Sequence, residues 1–428
     1  MKKALILTYY WPPGSGPGVQ RWLKFCKYLP EFDWEPTVIT VKNGSYPSTD
    51  ESLEADIPEG MKVIKTKTVE PFAIYNALRG KKGKSVEVAM GSVKGKQSAF
   101  AQLANYIRSN YFIPDARVGW NQYAYKAAKQ EVIANKPDVI ITTGPPHSTH
   151  LVGLKLKKEF GIKWMVDFRD PWTTIYYNQF LLRTKASSAK DLAYENEVLK
   201  YADQVITATP GITDDLLDRN SNTHTIPNGF DEEDFSNLKA ELPSKFRMSY
   251  VGNLKPVQNT IEVWNAIGEL CKENEAFNSK FEFEITGNIA EEVRKGLEDA
   301  GILSHVVFKE FVPHKQAIER MLSSHLLFLP IPIDSGNKKI LTGKIFEYLA
   351  TRRPILSVGP TDGNAARIIN DCGNLEMCDY ENTEAIKAHF LKMFSLFEQN
   401  LYPKKFGNEG FKKFSRKGTT EALAELLK

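Results

Sequence analysis

The chain has 428 residues, 42% of them hydrophobic and 25% charged, the balance of an ordinary globular protein with room for about two to three domains. Lys and Arg number 56 and Asp and Glu 52, so the net charge of +4 is too near zero to indicate a nucleic-acid partner. Apolar runs such as Ala4–Leu7 and Val139–Ile141 are short, far below the roughly 18 residues of a membrane-spanning helix.

Met1-Lys2-Lys3 leads into the apolar run Ala4–Thr8, too short for a secretory leader and stopped by Pro12-Pro13-Gly14, so no leader is expected. Arg21–Leu29 carries helical spacing at Trp22, Phe25, Cys26 and Leu29, and Thr37–Val41 is a β-branched run. Strand, helix and strand in succession predict a parallel sheet. Further strands are expected at Lys62–Lys65, Asp138–Thr142, Lys163–Asp167 and Gln204–Thr207, short and apolar as buried parallel strands are. Helices are expected at Asn121–Asn135, His150–Phe160 and Lys190–Tyr201. Within this half, Arg79–Gln97 carries Arg79, Lys81, Lys82, Lys84, Lys94 and Lys96 among Gly and Ser. It reads as a solvated insertion or as a basic lip for an anionic membrane or a lipid diphosphate.

The pattern restarts after the turn cluster Ile226–Asp231 and the polar stretch Asp231–Lys245, which reads as a linker. Strands are expected at Arg247–Val251, Glu282–Thr286, Val306–Lys309, Leu326–Leu329 and Ile355–Val358. Helices between them are expected at Asn259–Lys272, Ala290–Asp299, His314–Ser323 and Lys344–Ala350. Two doubly wound α/β domains follow, at residues 1–235 and 240–404. Phe411–Leu427 reads as an amphipathic helix with Ala422, Leu423, Leu426 and Leu427 on one side, in a C-terminal element 405–428 expected to pack back toward the first domain. The four Cys lie far apart without a Cys-x-x-Cys pair, so free thiols are expected. Of the seven His only His147 and His150 lie close together, with no Cys or carboxylate beside them, so no metal site is expected.

Ligands of doubly wound sheets bind beyond the strand carboxyl ends. One candidate loop there is Gly14-Ser15-Gly16-Pro17-Gly18, between the first strand and helix. Its spacing fails the dinucleotide pattern Gly-x-Gly-x-x-Gly, since residue 19 is Val and Pro17 removes a donor, which disfavours a dehydrogenase. It reads as a loop for a diphosphate or as a plain turn. A second candidate is Leu341–Ala350, where Gly343 and Lys344 open a helix behind Lys338 and Lys339. Free helix amides with these cations favour a diphosphate, and Glu347, one turn on, can accept hydrogen bonds from a ribose.

Gly343-Lys344-Ile345-Phe346-Glu347-Tyr348-Leu349-Ala350, with Arg352-Arg353-Pro354, resembles the donor-binding helix of GT-B glycosyltransferases of group 1, that is glycosyltransferase family 4. Leu7–Pro13, Thr143–Ser148, Asp167–Trp172, Ile226–Asp231 and Tyr250–Leu254 are similar to the same family in the same order. The resemblance implies a GT-B fold, two Rossmann-like domains facing a central cleft, the second binding a nucleotide-sugar and the first an acceptor. It implies that Glu347 holds the ribose and that Thr342, Gly343, Lys344 and Lys255 serve the diphosphate. It places Gly252 and Gly287 beside the nucleotide, Phe311 and Val312 at the base, and Gly16 and Gly18 in the loop that closes over the donor.

The chain departs from the family in two places. The first Glu of the Glu-x7-Glu motif, which contacts the donor sugar in the family, is Lys339 here, and the loop that often carries a His has Arg169 and Asp170. Arg169 is then expected to support the donor phosphate and Asp170 to orient the acceptor hydroxyl, as catalytic residues. His147 and Trp120 are expected at the acceptor; Tyr106, Tyr111, Phe112, Tyr123 and Tyr125 are aromatics for stacking on a sugar, for a membrane interface or for a core. The resemblance implies retaining transfer of a hexosyl group from a UDP- or GDP-sugar to a glycan or lipid-linked acceptor in surface polysaccharide synthesis, without cofactor or bound metal. The expected location is the cytoplasm, peripheral to the inner face of its membrane. The alternatives are a non-catalytic nucleotide-binding protein and a sugar-nucleotide 2-epimerase.

Overall fold

The computed structural model describes residues 1–69, 99–175, 178, 180–236, 238 and 240–428. The basic stretch Arg79–Gln97 lies outside them. Two compact units are present: Met1–Pro227 with Thr419–Lys428, and Asn228–Gly418.

The first unit is built on a seven-stranded parallel sheet in the order β3-β2-β1-β4-β5-β6-β7. Its strands are β1 Lys2–Leu7, β2 Trp34–Val41, β3 Lys62–Thr66, β4 Val139–Gly144, β5 Lys163–Phe168, β6 Gln204–Thr207 and β7 Thr223–Thr225. Its helices are α1 Pro17–Tyr28, α2 Ala99–Tyr111, α3 Asn121–Asn135, α4 Ser148–Phe160, α5 Lys185–Tyr201 and α6 Pro210–Leu216. The two-residue period of β1 divides its side chains between two cores. Leu5 and Leu7 join Ile140, Trp164 and Val166 on one face of the sheet. Ala4 and Ile6 join Trp22, Phe25, Val139 and Ile141 on the other.

The second unit has a five-stranded parallel sheet in the order β10-β9-β8-β11-β12. Its strands are β8 Phe246–Val251, β9 Phe281–Thr286, β10 Val306–Lys309, β11 Leu326–Pro330 and β12 Ile355–Val358. Its helices are α7 Ile261–Glu273, α8 Glu275–Lys280, α9 Glu291–Asp299, α10 His314–Leu322, α11 Lys344–Ala350, α12 Asn364–Asp371 and α13 Thr383–Glu398. Phe246, Met248, Tyr250, Leu326 and Phe328 line one core face. Val251, Leu327 and Leu329 line the other. The strand order reverses between β1 and β4 in one sheet and between β8 and β11 in the other, and such switch points are where these sheets leave a crevice for a ligand.

The structure moves the expected boundary. Residues 228–235 belong with the second unit, because Phe230 N–H donates to the Phe414 carbonyl (3.1 Å) and Arg416 N–H to the Phe230 carbonyl (2.7 Å). The expected linker opens as a 3-10 turn, Glu232–Phe235, whose Phe235 ring meets Phe230 edge-on. The last helix, α14 Arg416–Leu427, starts five residues later than the pattern suggests, after a 3-10 turn at Glu409–Phe414. Leu423, Ala424 and Leu427 are the residues it buries against the first unit's core, whereas Ala422 is exposed. All four cysteines are free thiols. Among the described residues no helix is long and apolar enough to cross a membrane.

Candidate functional site

The carboxyl end of the five-stranded sheet gathers most of the expected donor residues. Gly252 (φ 123°) directly follows β8 and Gly287 (φ 115°) directly follows β9, both at positive φ, which favours glycine. Gly252 N–H donates to the Thr286 carbonyl (2.8 Å) and Gly287 N–H to the Lys309 carbonyl (2.9 Å), so each turn is tied to the next strand. A Cβ on Gly287 would fall 2.6 Å from the Gly252 carbonyl oxygen, and one on Gly252 would fall 2.8 Å from Lys344 Nζ. The two bare turns therefore nest, and the Lys344 ammonium lies directly on the Gly252 turn. Nζ also sits 5.1 Å from the centre of the Tyr250 ring. Burial lowers the Lys344 pKa, Lys255 adds to this and Glu347 opposes it. A half-buried cation beside bare backbone is an anion site with little water to screen it.

The helix behind it contributes less than the sequence suggests. The Lys344 N–H donates to Thr342 Oγ1 (3.1 Å), Ile345 N–H to the Thr342 carbonyl (3.2 Å) and Phe346 N–H to the Gly343 carbonyl (3.3 Å). Those three amides are satisfied within the turn, so the Lys344 side chain, not a row of free amides, is the attraction there. Gly343 is in ordinary helical conformation (φ −58°) with open space around its Cα, so the turn does not require glycine. Val251 N–H donates to the Tyr348 hydroxyl (3.3 Å), pinning α11 to the end of β8.

Glu347 lies one turn beyond Lys344 with its side chain 28% exposed. Burial raises its pKa and Asp234 adds to this, while His314, Lys344 and Arg416 act against it. His314 Nε2 lies 3.8 Å from Glu347 Oε1 and 3.4 Å from Asp234 Oδ2. Neither His314 nor Asp234 was singled out from the sequence; the available signal was the Pro313-His314 pair directly after Phe311-Val312. Phe311 is 80% exposed and Val312 half-buried, just past the end of β10. Lys255 is exposed beyond the Gly252 turn, and Lys339 ends an exposed 3-10 turn, Asn337–Lys339, ahead of α11.

In the first unit, Gly16 caps α1 (φ 113°) and Gly18 lies in its first turn. A Cβ on Gly18 would fall 1.2 Å from Arg169 Nη1, so the arginine rests on the glycine loop. Arg169 Nε donates to the Gly144 carbonyl (3.1 Å) and Nη2 to the Pro145 carbonyl. These bonds commit much of the guanidinium to holding the ends of β4 and β5 together, leaving the Nη1 side toward the loop. Its pKa is lowered mainly by burial, with Arg21 adding to this and Asp167 and Asp170 opposing. Asp170 keeps solvent contact and, among the described residues, its carboxylate forms no hydrogen bond or ion pair. Desolvation raises its pKa, Asp167 adds to this and Arg169 opposes it, so it is a carboxylate with acceptor capacity to spare.

The two expected acceptor residues are placed otherwise. Trp120 is fully buried, donates Nε1–H to Thr66 Oγ1 (2.8 Å) and packs edge-on against Tyr9, so it is a core residue. His147 is only 7% exposed and stacks on Trp172 at 5.0 Å with the rings 6° apart. Burial pushes its pKa down to about 3 with help from Arg169, so it is a neutral packing partner and not an acceptor contact. Aromatic and imidazole rings suit a sugar face and a protein core equally, and burial decides between them.

The family 4 glycosyltransferase model matches residues 18–234. This chain belongs to glycosyltransferase family 4. Among curated proteins no sequence matches it. A glycosyltransferase from Rickettsia africae superimposes with a TM-score of 0.59 at 15% identity, over 100% of this chain and 97% of its own. Anabaena HepE, solved with UDP-glucose, gives 0.54 at 14% identity over 100% and 99%. A variant of S. aureus TarM, solved with fondaparinux, α-GlcNAc-glycerol and UDP, gives 0.58 at 12% identity over 100% of each chain. At such identities the likeness is one of fold, and the fold is GT-B, with two Rossmann-like units. In this family 4 glycosyltransferase the Gly252–Lys344–Glu347 cluster and the Gly18–Arg169–Asp170 cluster each lie at the carboxyl ends of the strands of their own sheet.

Proposed function

We propose that the chain transfers a hexosyl group from a UDP- or GDP-sugar to a glycan or lipid-linked acceptor, with retention at the anomeric carbon and without a bound divalent ion. The observation that carries this reading is the Lys344 ammonium seated on the bare turn of Gly252, against which the Gly287 turn nests, with the Glu347 carboxylate one helical turn away. Departure of the nucleoside diphosphate places negative charge on its outer phosphate. A preorganised, weakly solvated cation stabilises that charge as it develops. In this reading Glu347 accepts from the ribose hydroxyls and Phe311 and Val312 flank the base. Asp170 orients the acceptor hydroxyl, and Arg169 fixes the loop that carries Gly16 and Gly18. UDP-glucose in HepE and UDP in the TarM structure support a uridine donor.

A lipid-linked acceptor is supported by an outward apolar face on α2. Leu103, Tyr106, Ile107 and Tyr111 are all exposed there, at the spacing of one helical side. Asn110 Nδ2 donates to the Leu182 carbonyl (2.7 Å), which sets exposed Leu182 beside that face. Such a face suits a peripheral contact with the membrane that holds the acceptor, and with it a place in surface polysaccharide synthesis.

The test is turnover with UDP-glucose, UDP-N-acetylglucosamine and GDP-mannose, with and without lipid extract as acceptor and with and without chelator. One nucleoside diphosphate is expected to be released only when acceptor is present, unaffected by chelator, and the product is expected to keep the α configuration by NMR. An inverted product or loss of activity in chelator contradicts the mechanism. Isomerised nucleotide-sugar without transfer points to the epimerase, and binding without turnover to a non-catalytic protein.

A further inference from the structure

Three segments distant in sequence meet at Glu347: the turn Glu232–Phe235, the start of α10 and the first turn of α11. His314, the first residue of α10, sets one nitrogen between two carboxylates, 3.8 Å from Glu347 Oε1 and 3.4 Å from Asp234 Oδ2. Nothing in the packing of α10 requires this, because that helix buries Ala317, Ile318 and Met321 and leaves the His314 side chain 53% exposed. A half-exposed imidazole aimed at the site's carboxylate has its consequence in the site.

We infer that His314 is a positioning residue of the donor site, holding the Glu347 carboxylate ionised and fixed to receive the nucleotide's ribose, with Asp234 as its second anchor. The inference rests on the proposed role of Glu347. An ionised carboxylate accepts from both hydroxyls of a ribose, whereas a protonated one carries a competing donor. Burial works against the ionised form at Glu347. Among the described residues the charged groups acting on Glu347 are His314 from α10, Lys344 from its own helix, Arg416 from the start of α14, and Asp234 from the turn. The three cations favour ionisation and Asp234 disfavours it. Lys344 is the diphosphate's cation in this reading, which leaves His314 as the cation set against the Glu347 carboxylate itself.

The sign follows. Removing the imidazolium raises the Glu347 pKa, so Glu347 takes up its proton at a higher pH and donor affinity is lost earlier on acidification. At alkaline pH Glu347 is ionised with or without the imidazole, so the affinities converge. The experiment is calorimetric titration of UDP or GDP, whichever binds the intact protein, between pH 5.5 and 8.5. His314→Gln is expected to move the acid fall in affinity up by about half to one pH unit, about three- to tenfold weaker binding on the acid side of the fall, with no change at pH 8.5; the size allows for solvent screening. Superimposable curves for His314→Gln, or one weakened equally at every pH, overturn the inference. Glu347→Gln separates the two levels: if it binds as wild type does, the donor reading itself fails, and if it loses binding while His314→Gln follows the wild-type curve, only this inference fails.

Discussion

Lys344→Ala is expected to lower kcat/KM by about 10²–10³, the loss typical of removing one preorganised group from a developing anion. The lysine is held for that task. Its Nζ lies 5.1 Å over the Tyr250 ring, and Gly252 leaves no Cβ to displace it. Burial lowers its pKa, so its charge is weakly solvated and acts at close range. Lys344→Arg is expected to restore only part of the activity, because the planar guanidinium is larger than the ammonium seated against Gly252. Steady-state kinetics with the preferred donor measure both variants. Full activity in the alanine variant contradicts the assignment of this lysine to the leaving group.

Asp167→Ala is expected to cost about 3–5 kcal/mol of stability in the first unit, the range for breaking a buried ion pair by removing one partner. Asp167 lies in the buried stretch of β5 and accepts from Arg21 Nε (3.3 Å), Arg21 Nη2 (3.1 Å), Trp22 Nε1 (2.6 Å) and Thr143 Oγ1 (2.9 Å). Both members of the ion pair have no exposed side-chain surface. The alanine variant therefore removes the shared acceptor of two guanidinium N–H groups, an indole N–H and a hydroxyl in the core that joins α1 to β4 and β5. Asp167→Asn keeps an acceptor oxygen and is expected to cost less. Denaturant unfolding measures both costs, and thermal unfolding is expected to show a drop in Tm of about 2–4 °C per kcal/mol for a unit of this size. A cost for the alanine variant of less than about 1 kcal/mol contradicts this account of the network.

The sheets were legible because their strands are short apolar runs set between helical patterns, as at Ala4–Thr8 and Leu326–Leu329. β7, Thr223–Thr225, carries no apolar run, so nothing local announced it. The boundary was misplaced because Phe230 finds its partners at Phe414 and Ser415, a pairing across nearly half the chain that no local pattern records. At the site, Lys344 and Glu347 were legible because they share one helical turn and its spacing shows in the sequence. His314 and Asp234 were not, since their meeting with Glu347 depends on three separate segments. Trp120 and His147 were misassigned because residue type does not distinguish a sugar platform from a core. The expectation of free amides at Gly343 and Lys344 overlooked Thr342, whose hydroxyl caps the turn.

The central claim is that the five-stranded unit binds a nucleoside diphosphate through Lys344 and Glu347. Its most direct test is the shift in Tm produced by UDP, GDP, CMP and ADP in the wild-type protein and in Glu347→Ala. Ligand at about a hundred times its Kd stabilises by about 2.7 kcal/mol, which such a scan resolves. The account predicts a rise with UDP or GDP that the substitution abolishes. No rise with any nucleotide, or an equal rise in both proteins, would contradict it.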